Sequence, residues 1–186
     1  MDFIRGGEMF THLRKSKRFK EPRAKFYAAQ VFLAINYLHE LGYVYRDLKP
    51  ENILFDIDGY LKVSDYGLAK ELKPGEKTYS LAGTPDYVSP EIITNKGQTF
   101  MTDWWAFGIL LFEMIYGSPP FYNRDHEKMF QDIVNRELFF DTSKVDSSDN
   151  CKNLIYSLLK KDQTKRIGAK DEMEIRNHPW FSDIDW

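Results

Sequence analysis

Residues 102–116, TDWWAFGILLFEMIY, are apolar around most of a helix's circumference and are followed by Gly117 and the pair Pro119-Pro120, which end the pattern. A helix hydrophobic on every side has to be wrapped by the rest of its chain. The segment therefore predicts a central helix with the remaining elements packed around it. Its longest apolar run, WWAFGILLF at 104–112, is bounded by Asp103 and Glu113 and is too short to span a bilayer. Glu113 raises a question of its own, because a carboxylate in an otherwise buried helix needs a partner.

A chain of 186 residues comfortably forms one domain, which at this size buries roughly 70% of its unfolded surface. Between Pro22 and Gly42 the residues Tyr27, Val31, Ala34, Ile35, Leu38 and Leu41 recur at spacings of three and four, which predicts a long helix over 22–41. ILF at 53–55 and YLKV at 60–63, separated by DIDG, read as a β-hairpin. A calcium loop is excluded there, since Gly59 is the fourth residue counting Asp56 as the first, whereas such a loop requires glycine at the sixth. Residues 64–101 show little periodicity and read as a long irregular segment, and loops of that length in a compact domain are usually functional. Weaker helical patterns follow at 125–136, 147–160 and 171–178. The expected fold class is mainly α with one small hairpin.

The 26 basic and 28 acidic residues leave a formal net charge of −2, which argues against a general nucleic-acid or membrane-surface binder. LRKSKRFKEPRAK at 13–25 is the local exception, but without interleaved stacking aromatics it reads as a solvated face between helices. The single cysteine, Cys151, closes no intrachain disulfide, and His12, His39, His126 and His178 are scattered without zinc-site spacing. MDFIRGGEMF carries no secretory signal. A cytoplasmic or nuclear location is expected.

YRDLKPEN at 45–52 carries Arg46, Asp47, Lys49, Glu51 and Asn52 into the edge of a hydrophobic layer, between LGYV and ILF. Set beside SDYG at 64–67 and SPE at 89–91, it resembles the large, C-terminal lobe of a eukaryotic protein kinase. Tyr66 stands where that family usually has Phe, and Ser89 where it has Ala. The resemblance implies ATP and two Mg²⁺ ions as cofactors. It implies that Asp47 accepts the proton of the substrate hydroxyl, that Asn52 and Asp65 hold the metal, and that Lys49 faces the transferred phosphoryl group. DLKPEN and Thr84 resemble the serine/threonine class, in which that threonine bonds the catalytic Asp and Lys.

GGEMFTHL, LAGTPDYVSPEII, DWWAFGILLFEM, KRIG and HPWF narrow the resemblance to the AGC group, nearest its cyclic-nucleotide-dependent kinases. That implies protein substrates with basic residues ahead of the acceptor, read by Glu8, Glu51 and Glu113, and an apolar pocket of Leu81, Pro85 and Val88 for the residue after it. For Glu113 a substrate arginine is the expected partner, with a group inside the protein as the alternative. It also implies a cyclic-nucleotide-binding regulatory subunit as a partner. Ser80 matches the activation-segment phosphorylation site, with Arg46 and Lys70 as its pairing cations. Glu91 and Arg166 resemble a bracing buried ion pair, and Asp103 the residue that bonds the catalytic-loop backbone.

Residues 1–4 resemble the hinge between kinase lobes, which implies nucleotide contacts from Met1, Asp2, Ile4, Glu8, Glu51, Asn52, Leu54 and Asp65. The glycine-rich loop and strand lysine that cover ATP in this family have no counterpart ahead of GGEMF. The chain is therefore expected to be a fragment, inactive alone, with a non-catalytic module that binds regulatory or inhibitor partners as the alternative.

Overall fold

The computed structural model describes residues 4–80, 83–143 and 145–186. Its helices are α1 (Met9–Ser16), α2 (Glu21–Glu40), α3 (Pro90–Ile93), α4 (Met101–Tyr116), α5 (His126–Asn135), α6 (Asp149–Leu158) and α7 (Met173–Arg176). Its strands are β1 (Tyr43–Val44), β2 (Ile53–Phe55), β3 (Leu61–Val63) and β4 (Lys70–Glu71).

The apolar stretch forms α4, and every residue from Met101 to Ile115 is buried, as an all-round hydrophobic helix requires. α4 packs against α2 on one side and α6 on another. Phe32 of α2 stacks on Trp104 with ring centroids 5.3 Å apart. Gly108 lets α6 approach: a Cβ there would lie 2.8 Å from Leu158 Cβ and from a methyl of Leu159. The helix ends at Gly117, whose φ of 89° is the left-handed conformation a terminating glycine supplies without strain.

α2 begins with Pro22 in its first turn and stops before Gly42, within one residue of the expected range. The expected hairpin pairs β2 with β3 antiparallel, with Ile53 opposite Val63 and Phe55 opposite Leu61. The last three helical patterns are real but shorter than expected. Asp125 caps α5 by accepting from Glu127 N–H and Lys128 N–H, and Ser148 caps α6. α7 is a single turn, followed by a 3₁₀ turn at Pro179–Phe181.

Two features go beyond the expectations. α1 is eight residues with two buried positions, Met9 and Leu13, too few to generate a readable period. The segment 64–101 is not wholly irregular. It holds β4, which pairs with β1 (Val44 opposite Lys70), a 3₁₀ turn at Pro85–Tyr87, and α3. The basic tract 13–25 spans the end of α1 and the start of α2. There Arg14 lies over Phe10, Arg23 over Phe19, and Lys25 pairs with Asp183 at 2.7 Å.

Candidate active site

The loop 45–52 is fixed from below by α4. Asp103, fully buried in the first turn of that helix, accepts the backbone N–H groups of Tyr45 at 2.7 Å and Arg46 at 2.8 Å. Two consecutive amides reach one carboxylate because Arg46 takes φ 69°, a left-handed conformation unusual outside glycine and a local strain that the surroundings must hold.

That anchoring presents Asp47, which is 7% exposed. Lys49 Nζ donates to its two carboxylate oxygens at 3.0 and 2.8 Å. Asn52 Nδ2 donates to its Oδ2 at 2.8 Å and to its main-chain carbonyl at 2.9 Å. Thr84 Oγ1 donates to Oδ1 at 3.3 Å, tying the loop to the segment that starts at Gly83. The charges in YRDLKPEN are thus paired with one another at the edge of the core.

Asp65 is exposed, with φ 55°, and its Oδ1 accepts the Gly67 N–H at 3.2 Å. It follows Ser64, whose N–H and hydroxyl both donate to the Asn52 carbonyl, at 2.8 and 3.2 Å. The Tyr45 hydroxyl donates to the Ser64 carbonyl at 2.5 Å. Burial pushes that phenol far above its ordinary value, and Asp47 and Asp65 add to the shift while the Asn52 side chain opposes it. Asp65 thus directly follows the residue that bonds the Asn52 main chain, and the Asn52 side chain in turn bonds Asp47. Tyr66 packs edge-on against Tyr45 at 5.6 Å and donates its hydroxyl to Val63 O at 3.0 Å.

The donor set fits magnesium. Asn52 spends its amide nitrogen on Asp47, so its carbonyl oxygen and the Asp65 carboxylate are the groups available to a cation. A pair of oxygen donors suits an ion that completes its shell with phosphate and water rather than a protein cage. No group of three or more His, Cys, Asp or Glu side chains that could hold a metal ion exists among the described residues.

Of the nucleotide-contact candidates, Met1 and Asp2 lie outside the described residues, as does Leu81 of the apolar pocket. The chain from half-buried Ile4 runs on beside β2: Gly6 N–H donates to Phe55 O at 3.0 Å, Phe55 N–H donates to Gly7 O at 2.9 Å, and Glu8 bridges Leu54. Gly6 is required here, since a Cβ would fall 2.3 Å from Phe55 O.

Glu51 and Glu113 line one hollow together with Phe10, Arg14, Asp86 and Tyr87, whereas exposed Glu8 stands apart on the β2 bridge. Glu113 has a partner inside the protein, the alternative left open above. It is the hydroxyl of Tyr87, a neutral donor, rather than a cation. Burial raises the Glu113 carboxyl above its ordinary value, with Tyr87 and Arg14 opposing, and burial raises Asp86 likewise. The lining of the hollow sets three carboxylates, Glu51, Asp86 and Glu113, against one cation, Arg14. Pro85 is half-buried and Val88 buried beside Thr84.

Ser80 is exposed, and Arg46 Nη1 donates to its Oγ at 2.6 Å. Lys70 does not reach Ser80 itself. It donates to Thr78 Oγ1 at 3.0 Å, which lies 3.4 Å from Ser80 Oγ. Glu91 and Arg166 form a two-bond pair at 2.8 and 3.0 Å, buried to within 2% exposure. Arg166 also donates to the carbonyls of Met101 and Lys160.

Sequence reasoning missed Tyr87, Thr78, Gln98 and His39. Gln98 pairs its backbone with Thr78 and donates its side-chain N–H to Ser80 O at 2.6 Å. His39 bonds Asp103 and Glu172. No spacing rule marks these residues. The only available signal was polar identity at positions where a helix or segment turns inward.

Comparison with known proteins agrees with this geometry. A model of the protein kinase domain matches residues 1–181. The serine/threonine-protein kinase Sgk1 of Xenopus tropicalis is 47% identical over 188 residues, covering 100% of this chain and 44% of the relative. Sgk-1 of Caenorhabditis elegans is also 47% identical, with 40% of its length covered, and Protein kinase 2 of Dictyostelium discoideum is 44% identical, with 38% covered. The chain spans less than half the length of these relatives. A match over nearly all of its residues shows that the chain belongs to the protein kinase domain family.

Proposed function

We propose that this chain carries the catalytic centre of an ATP-dependent protein serine/threonine kinase of the AGC group. The observation that carries the reading is the array at Asp47, where Lys49, Asn52 and Thr84 donate to one largely buried carboxylate. Asp47 takes the proton of an incoming serine or threonine hydroxyl. Lys49, whose ammonium already lies at the Asp47 carboxylate, offsets charge on the transferred group. Thr84 registers the substrate-side segment against the loop. Asn52 and Asp65 hold magnesium, which when bound neutralises phosphate charge and orients the nucleotide. Two ions are the number the kinase resemblance implies.

The carboxylates of Glu51, Asp86 and Glu113, with Arg14 and a neutral tyrosine against them, support a preference for substrates carrying arginine. Ser80, already in contact with Arg46, is the site where phosphorylation orders the segment. The names of the relatives above carry no cyclic-nucleotide dependence. Control by a cyclic nucleotide through a regulatory subunit rests on the sequence resemblance alone.

The test is phosphoryl transfer from Mg-ATP to an arginine-rich serine peptide. A form of the protein that supplies the glycine-rich loop and strand lysine transfers phosphate, and Asp47→Ala lowers kcat by about 10²–10⁴-fold. The 186-residue chain alone transfers none. Full activity of the Asp47→Ala variant overturns the assignment.

A further inference from the structure

Glu172, just before α7, reaches the underside of the catalytic loop. Its Oε1 accepts from Trp104 Nε1 at 3.0 Å and lies 2.7 Å from His39 Nδ1. The other ring nitrogen, His39 Nε2, lies 2.8 Å from Asp103 Oδ2, the oxygen that also accepts the Tyr45 N–H. Ionised carboxylates only accept hydrogen bonds, so both ring nitrogens must donate, and a neutral imidazole has one proton to give. With both carboxylates ionised, this geometry calls for an imidazolium. His39 is 8% exposed, with the rings of Phe100 and Trp104 at 4.9 and 5.1 Å. The charged groups that face it are Asp103 from α4 and Glu172 from the loop before α7.

We infer that Glu172 is a positioning residue for the catalytic loop: by holding His39 doubly protonated, it keeps the buried Asp103 compensated and turned toward the Tyr45 and Arg46 amides. With His39 neutral, one ring nitrogen presents a lone pair to a carboxylate. Asp103, at 0% exposure, then loses its cation. Burial by itself lowers the imidazole's pKa, but the bonds and charges of Asp103 and Glu172 outweigh it and push it up to about 9. The tether is consequently complete below the ordinary histidine value and lost as pH rises through about 9. Its importance for catalysis rests on the kinase reading above, but its existence does not.

The test needs no phosphoryl transfer. In ¹H–¹⁵N spectra of the 186-residue chain between about pH 6 and pH 10, both His39 nitrogens stay protonated past neutrality, and the Tyr45 and Arg46 amide signals move with the His39 midpoint. Glu172→Gln lowers that midpoint by about one unit or more, and the two amides follow it. A wild-type midpoint near the ordinary value, or amides that stay still while His39 titrates, overturns the inference even if the variant fails to fold. In the phosphoryl-transferring form, Glu172→Gln moves the basic limb of the kcat profile to lower pH with KM for ATP unchanged. An unmoved limb removes the positioning role. Spectra as expected with no transfer by any form remove the kinase reading and leave the tether standing.

Discussion

The loop 45–52 and the following segment, residues 65–91, touch at several points and differ in how deeply their anchors are buried. The loop is secured at buried groups: two of its amides end on a fully buried carboxylate of the central helix, and largely buried Asp47 is enclosed by three side-chain donors. The described part of the segment is held at its start by the β4–β1 ladder and at buried Thr78 by two backbone bonds to Gln98, whereas exposed Ser80 is reached only by side chains among the described residues, those of Arg46, Gln98 and Thr78. Its far end is fixed again, by Glu91 on Arg166. Few buried contacts and bonds to exposed groups are the marks of a region that opens locally well below the global unfolding free energy. Under the proposed function, the first region would hold the reacting group in a fixed place and the second would be set by modification of Ser80.

The largest effect that separates the two belongs to the fixed end. Arg166→Ala strands a buried Glu91 carboxylate and is expected to cost about 3–5 kcal/mol of global stability, read from urea unfolding. A loss below about 1 kcal/mol breaks the view that the segment's end is rigid. Next comes the pH dependence of the loop's support. Lys161, pushed down to about 8 chiefly by burial, changes stability in the opposite sense to His39 over an overlapping range. The quantity to follow is therefore the Tm difference between wild type and Glu172→Gln. It is expected to be about 5 °C near neutral pH and to shrink as pH rises through the His39 value.

Smaller effects fall on the segment. Arg46→Ala removes bonds to Leu68 O and Ser80 Oγ and should cost about 1 kcal/mol globally, while protease cleavage around residues 73–80 accelerates many-fold. Gln98→Leu removes the bond to Ser80 O but also a buried Oε1 that has no partner, so its net effect on unfolding should stay within about 0.5 kcal/mol. Its mark is faster amide exchange at Thr78 and Ser80. Equal protection of both regions in Arg46→Ala would dissolve the contrast between them.

The helix α4, the long helix α2 and the hairpin were legible in the sequence because their signals are local: an apolar run, a 3.6-residue period, an Asp-Gly turn. YRDLKPEN was legible because, with SDYG and SPE in order behind it, it resembles the motifs of a known family. What escaped were pairings between distant positions. Tyr87 meets Glu113 across 26 residues and His39 meets Glu172 across 133, and nothing near either member foretells the other. Glu113 shows the limit clearly. Its need for a partner follows from its helix, but that the partner is a neutral hydroxyl depends on where the 3₁₀ turn at Pro85–Tyr87 comes to rest. α1 and the β1–β4 pair were too short for periodicity to register.

Arg46 is turned so that its main chain and its side chain belong to different neighbourhoods. Its amide is locked to Asp103 while its guanidinium spans Leu68 O and Ser80 Oγ. A phosphate arriving at Ser80 would therefore pull on an atom only a handful of covalent bonds from the Asp47 peptide group. Under the proposed function, the message would cross the shortest mechanical linkage a polypeptide offers, a single amino acid, without relying on a chain of repacked side chains.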